Sequence, residues 1–150
     1  MSYESAWAIK TGNLYKLSEQ HIVDCDTSNY GCDGGWQDYA VKFLAKNGAI
    51  LASDYKYTSG TSGLEGTCKE KGLSRPFRSA EPSYYYVKSN KDSFKDALRQ
   101  QPLIVSFAVG DEFYYVKTGI YTGTKCSTNM NHAMTAVAYG IENGVEYVVI

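Results

Sequence analysis

The chain has 150 residues, a formal net charge of −1, 43% hydrophobic content and 14 tyrosines. This is apolar material for one core or two small ones, and without a charge run neither nucleic acid nor a membrane is an expected partner. No stretch approaches the roughly 18 apolar residues that span a bilayer, and the N-terminus MSYESAWAIK lacks the basic-then-apolar order of a signal peptide.

A helix opens the chain, with Tyr3, Ala6 and Trp7 on one face, Ser2 as its only capping side chain, and Gly12-Asn13 as its stop. In LSEQHIVDC, Ser18 is placed to cap a short helix carrying Ile22 and Val23. YGCDGG follows, too rich in glycine for regular structure. WQDYAVKFLAKNG predicts an amphipathic helix, with Trp36, Tyr39, Ala40, Phe43 and Leu44 on one face and Asn47-Gly48 at its end. Residues 53–81 read as a loop too long to be a simple connector, so a pin at Cys68 is expected.

DSFKDALRQQ signals a further helix, after which the pattern turns to strands at 103–109 (LIVSFAV), 114–121 and HAMTAVAYG. Glu142-Asn143-Gly144 marks a tight hairpin whose second strand begins VEYVVI. Helices first and antiparallel strands later argue for an α+β fold divided near residue 83.

Four cysteines, Cys25, Cys32, Cys68 and Cys126, form no Cys-x-x-Cys knuckle, so no structural metal is expected. They could form two disulfides in three ways or remain buried thiols. His21, beside Glu19, Gln20 and Asp24, is expected on a solvated helix face. His132 begins a strand, and one imidazole without partners makes no site. The tyrosine excess is assigned to buried amphipathic packing at the interface of the two halves rather than to a recognition surface.

Taken together, LSEQ, VDC, GCDGG, QPLIVSFAV, the TGIY stretch and NHAMTAVAYG resemble papain-like cysteine peptidases, in the order found in that family and over nearly the whole chain. The resemblance implies a two-lobed papain-like α+β fold, incomplete here, with residues 1–83 as a partial helical left lobe and 84–150 as part of an antiparallel β-barrel-like right lobe. In that family a helix N-terminus and an adjacent imidazolium favour the thiolate of the nucleophilic cysteine, and the imidazole later protonates the leaving amine.

By its motif His132 matches the histidine of that pair. The family's Gly-x-Cys-Trp-Ala-Phe-Ser segment is expected before Met1, its oxyanion-binding glutamine further upstream, and its Lys-Asn-Ser-Trp-Gly segment after Ile150. On this reading the chain lacks the nucleophile and is inactive as it stands, with a non-catalytic peptide-binding homologue as the alternative.

The resemblance pairs Cys25 with Cys68 and leaves Cys32 and Cys126 without partners in this chain. It assigns the backbone of Gly34-Gly35 to antiparallel contact with an extended peptide. Trp36, Gln37, Ser106 and Ala133 line the pocket for the substrate side chain two before the scissile bond, and Asn131 offers its carbonyl. The polar Gln37 and Ser106 argue against the family's usual bulky apolar side chain there. Expected partners are a peptide or protein substrate and cystatin-like inhibitors, with no cofactor, in a lysosomal, vacuolar or secreted setting.

Overall fold

The chain divides into two units, one of residues Trp7–Tyr86 and one of Met1–Ala6 with Val87–Ile150. The computed structural model describes residues 1–75, 77, 84–123 and 128–150. The division falls inside helix α1 (Ser2–Thr11), which ends where Gly12, at φ +77°, donates its N–H to Ala8 O at 2.8 Å. Ser2 does not cap α1 as expected: its Oγ donates to Pro102 O at 2.8 Å. The first turn holds instead the buried Glu4, where the helix dipole favours a carboxylate.

In the Trp7–Tyr86 unit, helix α2 (Glu19–Cys25) is capped as its sequence predicts, Ser18 Oγ accepting from His21 N at 3.0 Å and donating to Tyr55 O at 2.6 Å. The Cys25–Cys68 disulfide brings the long loop back over α2. Along that seam Gln20 Oε1 accepts from the N–H groups of Thr58 (2.8 Å) and Ser59 (2.9 Å), and Gln20 Nε2 donates to Ser59 Oγ (2.7 Å) and Asp24 Oδ1 (2.6 Å). Asp24 also accepts from Tyr55 Oη and Gly66 N, both at 2.8 Å. Burial pushes the Asp24 carboxyl up, but the bonds from Gln20, Gly66 and Tyr55 and the charge of Lys69 outweigh it and hold the group below the ordinary carboxylate range.

The same covering corrects the expectation for His21, which is fully buried. Its Nε2 meets Glu70 Oε2 at 2.8 Å, and its ring lies 5.0 Å from that of Phe43 and 5.9 Å from that of Tyr55. Helix periodicity alone could not show that a loop far along the chain would be tied down over this face.

Helix α3 (Gln37–Asn47) starts at its N-cap Trp36 and stops at Gly48, whose φ of +80° suits glycine. Its C-terminal end is buried through Leu44 and Ala45, near-neighbours in sequence of the buried Ala49 and Ile50. Trp36 and Tyr39 are exposed, so the predicted apolar face is buried only toward its end. The preceding Gly34-Gly35 supplies no side chain to cover the first turn. A single helical turn, α4 (Ser59–Ser62), interrupts the long loop.

In the other unit, helix α5 (Lys91–Leu98) is capped by Asn90 Oδ1, which accepts from Ser93 N at 2.8 Å. Strand β1 (Leu103–Phe107) pairs antiparallel with β2 (His132–Ala136), and β3 (Ala138–Glu142) with β4 (Val145–Val149). Asn143 (φ 51°) and Gly144 (φ 81°) close the second pair in the tight turn that Asn-Gly predicts. Ala97, Leu98, Leu103 and Ala136 form the core, packed by Val87, Phe94, Val105 and Tyr139.

Two strand expectations are corrected. HAMTAVAYG is broken at Val137, whose N–H leaves the β1 ladder for Val149 O at 2.9 Å, so one apolar run serves two sheets. The 114–121 stretch forms no strand; a 3₁₀ turn covers Asp111–Tyr115. Phe113 is drawn to the rings of Phe107 (5.3 Å) and Tyr121 (5.4 Å), while Tyr114 and Tyr115 are both exposed, a pattern alternation does not allow. Among the described residues no helix is long and apolar enough to cross a membrane.

Candidate active site

The glycine turn is built by its own backbone and by two side chains that the sequence reading did not single out. After α2, Asp26 caps the helix end, buried, donating its N–H to Ile22 O at 3.0 Å. Its Oδ1 accepts from Ser28 N at 3.0 Å and its Oδ2 from Asn29 Nδ2 at 2.7 Å. The rest of the Asn29 carboxamide faces Trp36: Oδ1 accepts from Trp36 N at 2.7 Å, and Nδ2 also donates to Trp36 O at 3.3 Å. The carboxylate of Asp26 dictates which way the amide points, because it can only accept.

Between these anchors Gly34, at φ +104°, takes a conformation that disfavours any side chain. Its C=O accepts from Tyr30 N at 3.0 Å and its N–H donates to Gly31 O at 3.4 Å. With Gly34 bonded inside the turn and Trp36 held by Asn29, Gly35 alone of the three keeps both backbone groups unengaged among the described residues. A Cβ on Gly35 would overlap the Asn29 side chain, so glycine is required there for close approach. Gln37 follows as the first residue of α3.

His132 opens β2 opposite Phe107, and its side chain is exposed. It is therefore not the core histidine that a lone imidazole in a strand would suggest; the core histidine is His21, whose Nε2 is paired with Glu70 and whose Nδ1 is buried without a hydrogen-bond partner among the described residues. Asn131 fixes the backbone before it. Its N–H donates to Phe107 O at 3.2 Å, its Oδ1 accepts from Val109 N at 2.8 Å and its Nδ2 donates to Val109 O at 2.9 Å. The side chain thus continues the β1–β2 pairing beyond Phe107, toward the strand end the sequence predicts at residue 109. Ser106 stands directly opposite Ala133 in the same ladder, and both are exposed.

The thiols divide clearly. Cys25 and Cys68 are joined, and Cys32 is a free, exposed thiol in the 3₁₀ turn Gly31–Asp33; Cys126 lies outside the described residues. His21, Cys25 and Glu70 bring potential ligand atoms within 4.8 Å of one another, but the Cys25 sulfur is bonded to Cys68 and offers no thiolate to a metal. A surface recess of about 520 Å³ lined by Glu112, Tyr115, Lys117 and Tyr121 contains none of the candidate residues. Of the tyrosines, Tyr55 is buried, whereas Tyr30, Tyr57, Tyr85, Tyr86, Tyr114 and Tyr115 are all more than half exposed. The unit cores are small, and they are filled by aliphatic side chains, Tyr55 and Phe77.

Comparison with known proteins places this geometry. The model of the papain family of cysteine proteases matches residues 1–150. Cysteine proteinase COT44 of Brassica napus is 44% identical over 147 residues, covering 95% of this chain and 43% of the relative. Caricain of Carica papaya is 37% identical over 143 residues, covering 95% of this chain and 40% of the relative. The chain thus spans less than half the length of these relatives. Among solved structures, bromelain protease from Ananas comosus, determined with the inhibitor E64, matches with a TM-score of 0.87 at 36% identity over 98% of this chain and 66% of bromelain. With that family's pattern matched from the first residue to the last, the chain belongs to the papain family of cysteine proteases.

Proposed function

We propose that the protein to which this chain belongs cleaves peptide bonds through a cysteine–histidine pair in which His132 is the imidazole. The observation that carries the reading is the exposed His132 at a strand start, with its backbone held by the Asn131 clamp on Val109, in a chain of this family. In the proposed reaction a thiolate attacks the substrate carbonyl and the His132 imidazolium gives its proton to the departing amine. Water, losing a proton to the same imidazole, then releases the acyl group. Gly35 presents its free backbone edge to the extended substrate, Gly34 holds the turn rather than pairing with the peptide as expected because its own N–H and C=O are bonded within that turn, and Trp36, Gln37, Ser106, Asn131 and Ala133 complete the assigned contacts. E64-type epoxides and cystatin-like proteins are the expected inhibitors, and the Cys25–Cys68 disulfide fits an oxidising vacuolar, lysosomal or secreted setting. The two units are read as parts of the helical and β lobes.

The same reading holds that the nucleophile is none of the four cysteines here, so these 150 residues by themselves do not hydrolyse peptides. It is supported by the bonded sulfurs of Cys25 and Cys68 and by the setting of Cys32 in a 3₁₀ turn rather than at a long helix N-terminus. Labelling the full-length protein with an epoxide inhibitor, followed by peptide mapping, tests it. An adduct on a cysteine outside residues 1–150, with peptidase activity lost about a thousandfold or more in His132→Ala, is expected. An adduct on Cys32 or Cys126, or full activity in His132→Ala, would overturn the assignment. Peptide binding without cleavage in the full-length protein would favour the non-catalytic reading, which the intact Gly35 edge also suits.

A further inference from the structure

We propose that Asn29 is a positioning residue that holds the free backbone edge of Gly35 ready for an extended peptide; this rests on the peptide-binding part of the reading above. One carboxamide meets both the N–H and the C=O of Trp36, which is the two-point pairing that a residue of a neighbouring strand would supply. It therefore does for Trp36 what a β-partner would do, without a strand on that side. Its own orientation comes from the buried carboxylate of Asp26, itself fixed at the end of α2.

The chain of constraint runs from α2 through Asp26 and Asn29 to Trp36, and Trp36 in turn starts α3 by accepting from Tyr39 N (3.1 Å) and Ala40 N (3.3 Å). Gly35 is thereby strung between Gly34, bonded to Tyr30 and Gly31, and Trp36, bonded to Asn29. The Asn29 side chain also fills the space a Gly35 side chain would take, so one direction from Gly35 is closed by Asn29. Peptide binding by backbone pairing is most sensitive to such preorganisation, because a mobile edge must be ordered each time a ligand adds to it. Neither Asn29 nor Asp26 needs to touch the peptide.

The test uses the full-length protein with Asn29→Ala, Asn29→Asp, and the exchange pair Asp26→Asn with Asn29→Asp. Asn29→Asp sets a second carboxylate against Asp26, whereas the exchange pair restores a donor at 26 facing an acceptor at 29 and keeps an acceptor for Trp36 N–H. Hydrogen exchange at the Trp36 amide and steady-state kinetics on a peptide substrate are measured together. For Asn29→Ala and Asn29→Asp we expect Trp36 amide exchange at least tenfold faster and KM raised about tenfold with kcat changed less than threefold, and substantial recovery of both in the exchange pair.

Unchanged KM alongside faster exchange would overturn the proposal while leaving the peptidase reading intact, and so would unchanged exchange at Trp36. A loss of kcat with KM preserved would do the same. A wild-type protein that neither cleaves nor binds peptides would overturn both, with the exchange data still reporting whether Asn29 orders Trp36.

Discussion

Asn29 in one unit and Asn131 in the other each grip both backbone groups of a single residue, Trp36 and Val109, but they rest on different foundations. Asn29 stands on directional bonds: the buried Asp26 carboxylate, the Gln20–Asp24–Ser59 network and the Cys25–Cys68 disulfide. Asn131 stands on a strand pair whose support is a small apolar cluster, Ala97, Leu98, Leu103 and Ala136. Apolar packing is non-directional and tolerates small changes of shape, whereas a buried polar network loses much of its value when one atom is removed. The glycine turn should therefore depend on distant single residues more sharply than the histidine strand does.

The strongest way to break the contrast is to open the disulfide. It closes a loop of sequence separation 43, for which the chain-entropy account gives about 4 kcal/mol. Cys25→Ala with Cys68→Ala should lower stability by about 2–5 kcal/mol in chemical denaturation, and hydrogen exchange should rise first across α2 and residues 53–75. Protection in β1 and β2 falling equally would show that the two foundations are one. Gln20→Ala comes next, because it leaves the N–H groups of Thr58 and Ser59 without their acceptor in a buried site. A loss of about 2–3 kcal/mol is expected by denaturant titration, and a loss below about 0.5 kcal/mol would remove the network from the account.

The smallest effect is in pH and salt. The Asp24 carboxyl is held below its ordinary value of 3.8, so the stability it adds is complete above that value and drains away as pH falls through the lowered one. Glu146 is lowered to about 2 by hydrogen bonds from Lys91 and Lys95, both at 2.5 Å, and so acts in the same sense between about 4.5 and 2. Asp24→Asn and Glu146→Gln should each flatten part of the acid limb of stability. In about 1 M salt the Glu146 contribution should fall further than that of Asp24, since Glu146 rests on two lysine charges, Lys91 exposed and Lys95 half-buried, whereas Asp24 rests mainly on hydrogen bonds from the uncharged Gln20, Gly66 and Tyr55. Equal salt sensitivity of the two variants would contradict the distinction between the units.

What was legible from residues alone was local. Ser18 caps α2 because a serine oxygen reaches an N–H three residues on, Gly48 ends α3 because the backbone turns left-handed there, and Asn143-Gly144 closes a hairpin because its turn needs positive φ. The papain-like character of the motifs, the α+β class and the Cys25–Cys68 pairing were likewise readable, the class from the order of helices and strands and the pairing through the family pattern.

Tertiary structure decided the rest. His21 is buried because a loop joined to α2 by a disulfide covers it, and HAMTAVAYG is two strands because Val137 finds a partner in Val149 rather than in β1. The aromatic contacts of Phe113 replaced an alternating strand by a turn. Asn29 was invisible for the same physical reason: a carboxamide in a turn has many equivalent uses along the chain, and only folding sets it within 2.7 Å of the Trp36 nitrogen.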